Sequence, residues 1–406
     1  MNFSLISITA SQLNGSPMIS NPRIRLKITN SNFFCSFSPF IQSVNGFILK
    51  KSTFDRFIGS IIVLRSINII PTGQCQLISL YENATIVNSR FSRSTLNISM
   101  SLIQLETNKA HIFVNIKNCE FYEIQSLYSK SLYGIFLFLD VDSIISSCCC
   151  SKCFCGGPIF LVNVYFVHTA NSMVNDTVLF QNPPDVSRSS LAMIYFCGKV
   201  NNVNRLNISY STILSIRFFF DRIGFILFQY GDYSNAKYLL FDSNYGNTII
   251  FVDKVVLSVE RMCLLNHSPD LNGSPLICGN SMLTFSHCYF SNFDFKLIES
   301  DNLTTFFMCY FVNINVSQTQ AVFVDCEFNS SNSSFLSYYR LQNGMCIHFD
   351  VKDNMALLVF LSVLMVALII IIIMFIIYFK GKKAEKELDN LSHFIERRNQ
   401  ILTEYG

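Results

Sequence analysis

The sequence predicts an all-β chain: a right-handed parallel β-helix, then one transmembrane α-helix and a short cytosolic tail. Three observations carry this. A Cys/Ser-x-Phe pair recurs along the first 350 residues, strand-length apolar runs alternate with turn clusters, and one long uncharged run lies near the C-terminus.

The repeat comes first. Cys35-Ser-Phe37, Cys119-Glu-Phe121, Cys288-Tyr-Phe290, Cys309-Tyr-Phe311 and Cys326-Glu-Phe328 share the pattern, and Ser52-Thr-Phe54 and Ser89-Arg-Phe91 carry Ser instead. Residues two apart on a strand point to one side. Cys and Phe are therefore expected inward, and the variable residue between them outward. The step is 21 residues from Cys288 to Cys309 and 17 from Cys309 to Cys326. The step of 37 from Ser52 to Ser89 reads as two such units. A step of about 20 residues suits one coil of three short strands, with coils about 4.8 Å apart. Residues 20–350 would then hold roughly 16 coils rising roughly 75–80 Å. The right hand follows the rule for parallel crossovers. On this register Phe311→Ala should cost about 3–5 kcal/mol, and replacing Tyr310 should stay within about 0.5 kcal/mol. A leucine-rich repeat has a similar period but needs spaced leucines, which are missing; an array of β-sandwiches is the remaining alternative.

Strand signals such as His111–Ile116, Ile159–Val167 and Thr248–Leu257 are separated by Asn, Ser, Asp and Gly clusters. No Pro/Ser-rich linker divides the region. With these features the chain resembles polymorphic-membrane-protein-like surface proteins of trichomonad-type protists. The Cys-x-Phe steps, Gly156-Gly157-Pro158-Ile159, and the Phe-x-x-Asn units Phe160–Asn163 and Phe241–Asn244 carry the resemblance. Gly-Gly-Ala-Ile is the usual form, and Pro158 departs from it. The resemblance implies a β-helical exterior, one membrane helix, a short tail and a role in surface contact.

Met355 to Phe379 contains no charge, and only Ser362 and Tyr378 carry a polar group. A spanning helix needs about 20 apolar residues, so 355–379 is assigned as the lipid-embedded span. Lys380, Lys382, Lys383 and Lys386 follow it, whereas Lys352 before it is offset by Asp350 and Asp353. The positive-inside rule puts residues 380–406 in the cytosol and the N-terminal part outside, at the plasma membrane. A tail-anchored protein of opposite orientation is the rival. Residues 1–20 form a segment of their own, a weak or absent signal peptide without a basic region. In the tail, Leu388, Leu391, Ile395 and Leu402 fall at helical spacing with Arg398 completing the stripe.

Charged residues are 14%, against about 25% in average soluble domains. Mean hydropathy is +0.36 and net charge +3, which gives no electrostatic case for nucleic acid. All 15 cysteines precede the span. Cys148, Cys149, Cys150, Cys153 and Cys155 cluster, but a second Cys/His pair at close spacing is missing, so core packing or a local disulfide is expected and metal is not. Asn83, Asn97, Asn175, Asn207, Asn302, Asn315, Asn329 and Asn332 head glycosylation sequons, in keeping with an exterior.

No catalytic residue and no cofactor is assigned. Asp140-Val-Asp142 would put two carboxylates about 7 Å apart on one strand face, the spacing of an inverting glycosidase. Arg23, Arg25 and Lys27 would line up as three cations. Both read first as solvated outer faces. The expected function is non-catalytic adhesion to an extracellular protein or glycan. The alternative is a membrane-anchored polysaccharide lyase or hydrolase of pectate-lyase type.

Overall fold

The computed structural model describes residues 2–11, 19–20, 24–35, 39–42, 46–65, 84–96, 101–106, 112–126, 135–139, 141–153, 162–168, 171–180, 192–212, 224–246, 248–268, 274–293, 297–300, 302–314, 321–329 and 371–383, with 386, 388, 390–392, 395 and 397. The chain forms two units, Met1–Cys346 and Ile347–Gly406.

In the first unit every strand pairing is parallel, and the strands stack as the rungs of a β-helix or solenoid. Each coil uses three faces. Face A comprises strands such as Arg25–Thr29, Gly46–Lys50 and Ala321–Val324; face B includes Asn32–Phe34, Thr53–Asp55 and Glu327–Phe328. Both belong to one 22-stranded sheet bent at a corner. Face C is a separate sheet of eleven strands, from Ile19–Ser20 to Ile298–Ser300.

Pairing register defines columns that run from coil to coil. One inward column of face A runs Leu5, Ile28, Leu49, Ile86, Ile116, Ile145, Val174, Val203, Ala236, Val259, Phe285, Phe306, Phe323. That is thirteen rungs among the described residues, fewer than the roughly 16 expected. The coil length explains the difference. It ranges from 17 residues (Thr304 over Ala321) to 37 (Phe47 over Ala84). The step from Ser52 to Ser89 is thus one coil rather than two, with the extra length between faces C and A. Ordered coils also begin before residue 20, because Asn2–Ile6 pairs with Arg25–Thr29.

The corner between faces A and B accounts for the Cys/Ser repeat. One residue per coil has a left-handed backbone there, with φ near 50°. Asn30, Lys51, Asn88, Asn118, Ser147, His287 and Met308 are examples. Such a residue costs roughly 1–2 kcal/mol when it is not glycine. Its N–H is not lost, however: Asn30 N donates to Lys50 O at 3.0 Å, and Asn88 N to Lys117 O at 3.0 Å. The next residue is the small one of the repeat. The Ser52 hydroxyl donates to Lys50 O at 3.1 Å and accepts Ser31 N–H at 3.3 Å. Cys119 and Cys288 likewise donate Sγ–H to the carbonyl two residues back at 3.3 Å, and Cys288 Sγ accepts Met262 N–H at 3.4 Å. In these coils the position is filled by a short side chain that both donates and accepts, which is why Ser and Cys interchange there.

Two residues later comes the face B core column. Phe33, Phe54, Phe91 and Phe121 stack with centroids 5.0–5.3 Å apart. Phe290, Phe311 and Phe328 do the same near the other end. Between them the column holds Cys150, Leu179, Ile208, Phe241 and Leu264. Cys288, Cys309 and Cys326 occupy neighbouring coils as expected. Cys35 does not share their position. It sits at the second corner with φ 53°, and its coil's equivalents are Ser31 and Phe33. Tyr310 faces away from the main core, and there it is half-buried against the cluster of Tyr289 and Cys263.

In the second unit residues 371–383 are α-helical, with Leu388, Leu391 and Ile395 in helical conformation and exposed. Among the described residues no helix is long and apolar enough to cross a membrane. Residues 355–370 of the assigned span, and Arg398 and Leu402, lie outside the described residues.

Candidate recognition face

The outer sides of the three faces differ. Along the middle coils the outward residues Cys149, Val178, Asn207 and Cys263 of face B are buried, as are Gln104, Leu137, Leu227 and Phe251 of face C. Toward the ends, Asn32, Glu327 and Glu299 are exposed. Face A is the one whose outward columns stay accessible along its middle coils. Strand alternation turns Leu26, Ile28, Val203 and Ala236 inward there, and leaves Lys27, Asn202 and Asn235 on the outside.

Two adjacent outward columns carry polar groups. Asn115, Asn202, Asn235, Ser258 and Thr284 lie in one, with Ile144 and Met173 between Asn115 and Asn202; Ser146, Asn175, Asn204, Lys237 and Glu260 lie in the next. On the far edge Tyr233, Val256, Met282 and Leu303 form an exposed apolar column, the last two each 66% accessible. Charge gathers at the A–B corner and is largely paired. Arg205 grips Asp176 through two nitrogens, Nε to Oδ1 at 2.6 Å and Nη2 to Oδ2 at 2.7 Å. Lys237 Nζ lies 2.7 Å from Glu260 Oε2. That hydrogen bond lowers the Glu260 pKa and raises that of Lys237. Arg261 donates to Tyr238 OH at 2.6 Å. A flat sheet of amides, hydroxyls and paired ions can make many shallow hydrogen bonds to a polar surface.

The residues singled out from sequence fall as follows. Asp142 is half-buried on the outside of face A and accepts Asn171 N–H at 3.0 Å, so its carboxylate caps a backbone turn. Asp140 and Arg23 lie outside the described residues. Arg25 and Lys27 are exposed on face A, with Leu26 buried between them. Three members of the cysteine cluster follow the repeat, and Cys155 lies outside the described residues. Cys148 takes the small corner position, Cys150 the Phe position, and Cys153 the matching position at the second corner, where it donates to Ser151 O at 3.3 Å. Burial pushes the Cys153 thiol up to about 12. Cys149 points the other way and is disulfide-bonded. Among the described residues no group of three His, Cys, Asp or Glu is placed to hold a metal.

Of the sequons, Asn175 is half-buried on face A, while Asn302 and Asn329 are exposed. Asn207 is a correction: it is fully buried, and its side-chain oxygen accepts the Ser209 hydroxyl, so a folded chain has no room for a glycan there. Asn83, Asn97, Asn315 and Asn332 lie outside the described residues, as do Gly156–Ile159 and Phe160.

Two features escaped sequence reasoning. Asn244, the last residue of one Phe-x-x-Asn unit, is a corner clamp: its Oδ1 accepts Ser211 N–H at 3.0 Å and its Nδ2 donates to Ile208 O at 2.7 Å. Asn201 joins Ser172 and Ser234 inside the core, accepting from Ser172 at 2.7 Å and donating to Ser234 at 3.1 Å. An Asn or Ser at strand spacing was the available signal, but it reads as turn chemistry when burial is unknown. Comparison with protein-family models, curated proteins and solved structures finds no match, so the functional reading rests on the residues themselves.

Proposed function

We propose that this chain is a single-pass cell-surface protein whose right-handed β-helical exterior binds an extracellular protein or glycan without catalysis. The observation that carries the reading is face A: a partly accessible, largely polar ladder along the middle coils, with its central charges already paired. Such a face sums many weak contacts and is poorly suited to holding a proton at one atom. Residues 355–379 anchor it in the bilayer, with 380–406 in the cytosol; the uncharged run and the lysines after it support this. The trichomonad-type surface proteins remain the family it resembles.

The test has two arms. Protease added to intact cells should remove an epitope near residue 200 and spare one at residue 404; the reverse would establish the tail-anchored orientation. Exterior protein should bind cells saturably and leave pectin-like and glycosaminoglycan substrates intact. Turnover abolished by Asp142→Asn would establish the lyase or hydrolase alternative instead.

A further inference from the structure

The last described coils hold three thiols in one column. Cys288, Cys309 and Cys326 take the small corner position on successive rungs, and all three are free. Neighbouring rungs place equivalent Cα atoms about 4.8 Å apart, inside the range a disulfide spans, roughly 4.4–6.8 Å. Each sulfur also leans toward the preceding coil. Cys326 Sγ lies 3.4 Å from Phe306 O, and Cys309 Sγ lies 3.7 Å from Phe285 O and 3.4 Å from Cys288 N.

We propose that Cys326 and Cys309 form a thiol–disulfide exchange site that staples the last coil to its neighbour. Access divides the work. Cys326 is partly accessible, whereas Cys288 and Cys309 are buried. The Cys326 thiolate attacks one sulfur of a small-molecule disulfide. A mixed disulfide forms at Cys326 and one small thiolate leaves. The Cys309 thiolate then attacks Cys326 Sγ, closes the Cys309–Cys326 bond and expels the second small thiolate. The two protein thiols are oxidised, the external disulfide is reduced to two thiols, and the two protons pass to those products. The Cys288 thiol lowers the Cys309 pKa against the opposing effect of burial, and the Cys288 N–H adds to this, which favours the resolving thiolate. Burial raises the pKa of Cys326, so its role as the attacking sulfur rests on its access and position.

Two other thiol sites serve as internal controls. Cys119 and Cys148 stack in the same way but are buried in the middle coils, so an external disulfide should not reach them in the folded chain. Cys35 is partly accessible but sits at the other corner, where Arg56 occupies the next rung.

The experiment incubates the full chain in detergent micelles with oxidised glutathione, traps remaining thiols with N-ethylmaleimide and maps peptides by mass spectrometry. The expected result is a Cys309–Cys326 cross-link, with two reduced glutathiones released per bond. Cys35 should stop at the mixed disulfide, and Cys119 and Cys148 should be unmodified. Cys309→Ser should leave Cys326 as a stable mixed disulfide. Cys326→Ser should abolish oxidation of Cys309; Ser already serves this corner position at Ser31, Ser52 and Ser89, so the coil should stay folded. A stable glutathione adduct on Cys326 of the unmutated chain would overturn the proposal. So would equal oxidation of Cys119 with Cys148, or no loss of thiol at Cys326.

Discussion

Faces A and B belong to one sheet and share one set of coils, yet their outer surfaces have opposite fates. On face A the residues between core positions are Lys27, Asn202, Asn235 and Thr284, and they are half-buried or exposed. On face B the equivalents Cys149, Val178, Asn207 and Cys263 are buried. The inner columns of both faces are buried and largely apolar, with the Ser172–Asn201–Ser234 ladder of face A as an exception, so stacking the coils cannot be what distinguishes them. Along the middle coils the difference lies in the outward residue, which stays accessible on face A and is mostly buried on face B, whereas Asn32 and Glu327 at the two ends of face B are exposed.

The largest break in that comparison comes from the core. Phe121 is buried between Phe91 and the edge of Phe136. Phe121→Ala should cost about 3–5 kcal/mol in denaturant unfolding. Asn202→Ala on the outside of face A should stay within about 0.5 kcal/mol. Similar costs would mean that face A is covered as face B is.

A pH dependence comes next. His267 is buried beside the second corner, and burial lowers its pKa to about 4. Its unfolded value is near 6.5. Because the folded value is depressed, the unfolded chain takes up the proton first as pH falls. The stability contribution is complete above pH 6.5 and is lost progressively toward pH 4, by about 3 kcal/mol at most. Urea midpoints measured across that window should fall, and His267→Asn should remove most of the slope.

The smallest effect sharpens the account of the A–B corner. Ser52→Ala removes a donor to Lys50 O and an acceptor for Ser31 N–H, and should cost about 1–3 kcal/mol because that N–H is buried. Ser52→Cys keeps both roles and should cost well under half of that. Equal costs for Ala and Cys would reduce the repeat to a matter of side-chain size.

The terminal coils were legible because Cys-x-Phe marks them directly. The middle coils were not. Thr177, Leu206, Leu239 and Met262 stand at the small corner position there, and Leu179, Ile208 and Leu264 at the Phe position, so the motif vanishes while the geometry continues. Coil number was misread for a related reason, because a 37-residue coil with one long excursion has the length of two short ones. The candidate site was legible only as alternation around Leu26, between Arg25 and Lys27. Burial of Asn207 and Cys263 depends on what covers face B, which alternation within a strand cannot encode. Alternation likewise gives the outward direction of Tyr310 but not its half-burial against Tyr289 and Cys263.

Binding to cells tests the central claim that face A is the recognition surface. Labelled exterior protein carrying Asn204→Glu with Asn235→Glu would be titrated onto cells beside the unmutated protein and an Arg56→Gln control at the second corner. With unfolding midpoints unchanged, the face A pair should weaken binding about tenfold or more, equivalent to about 1.4 kcal/mol, and Arg56→Gln should leave it unaltered. Full binding by the face A pair would contradict the account.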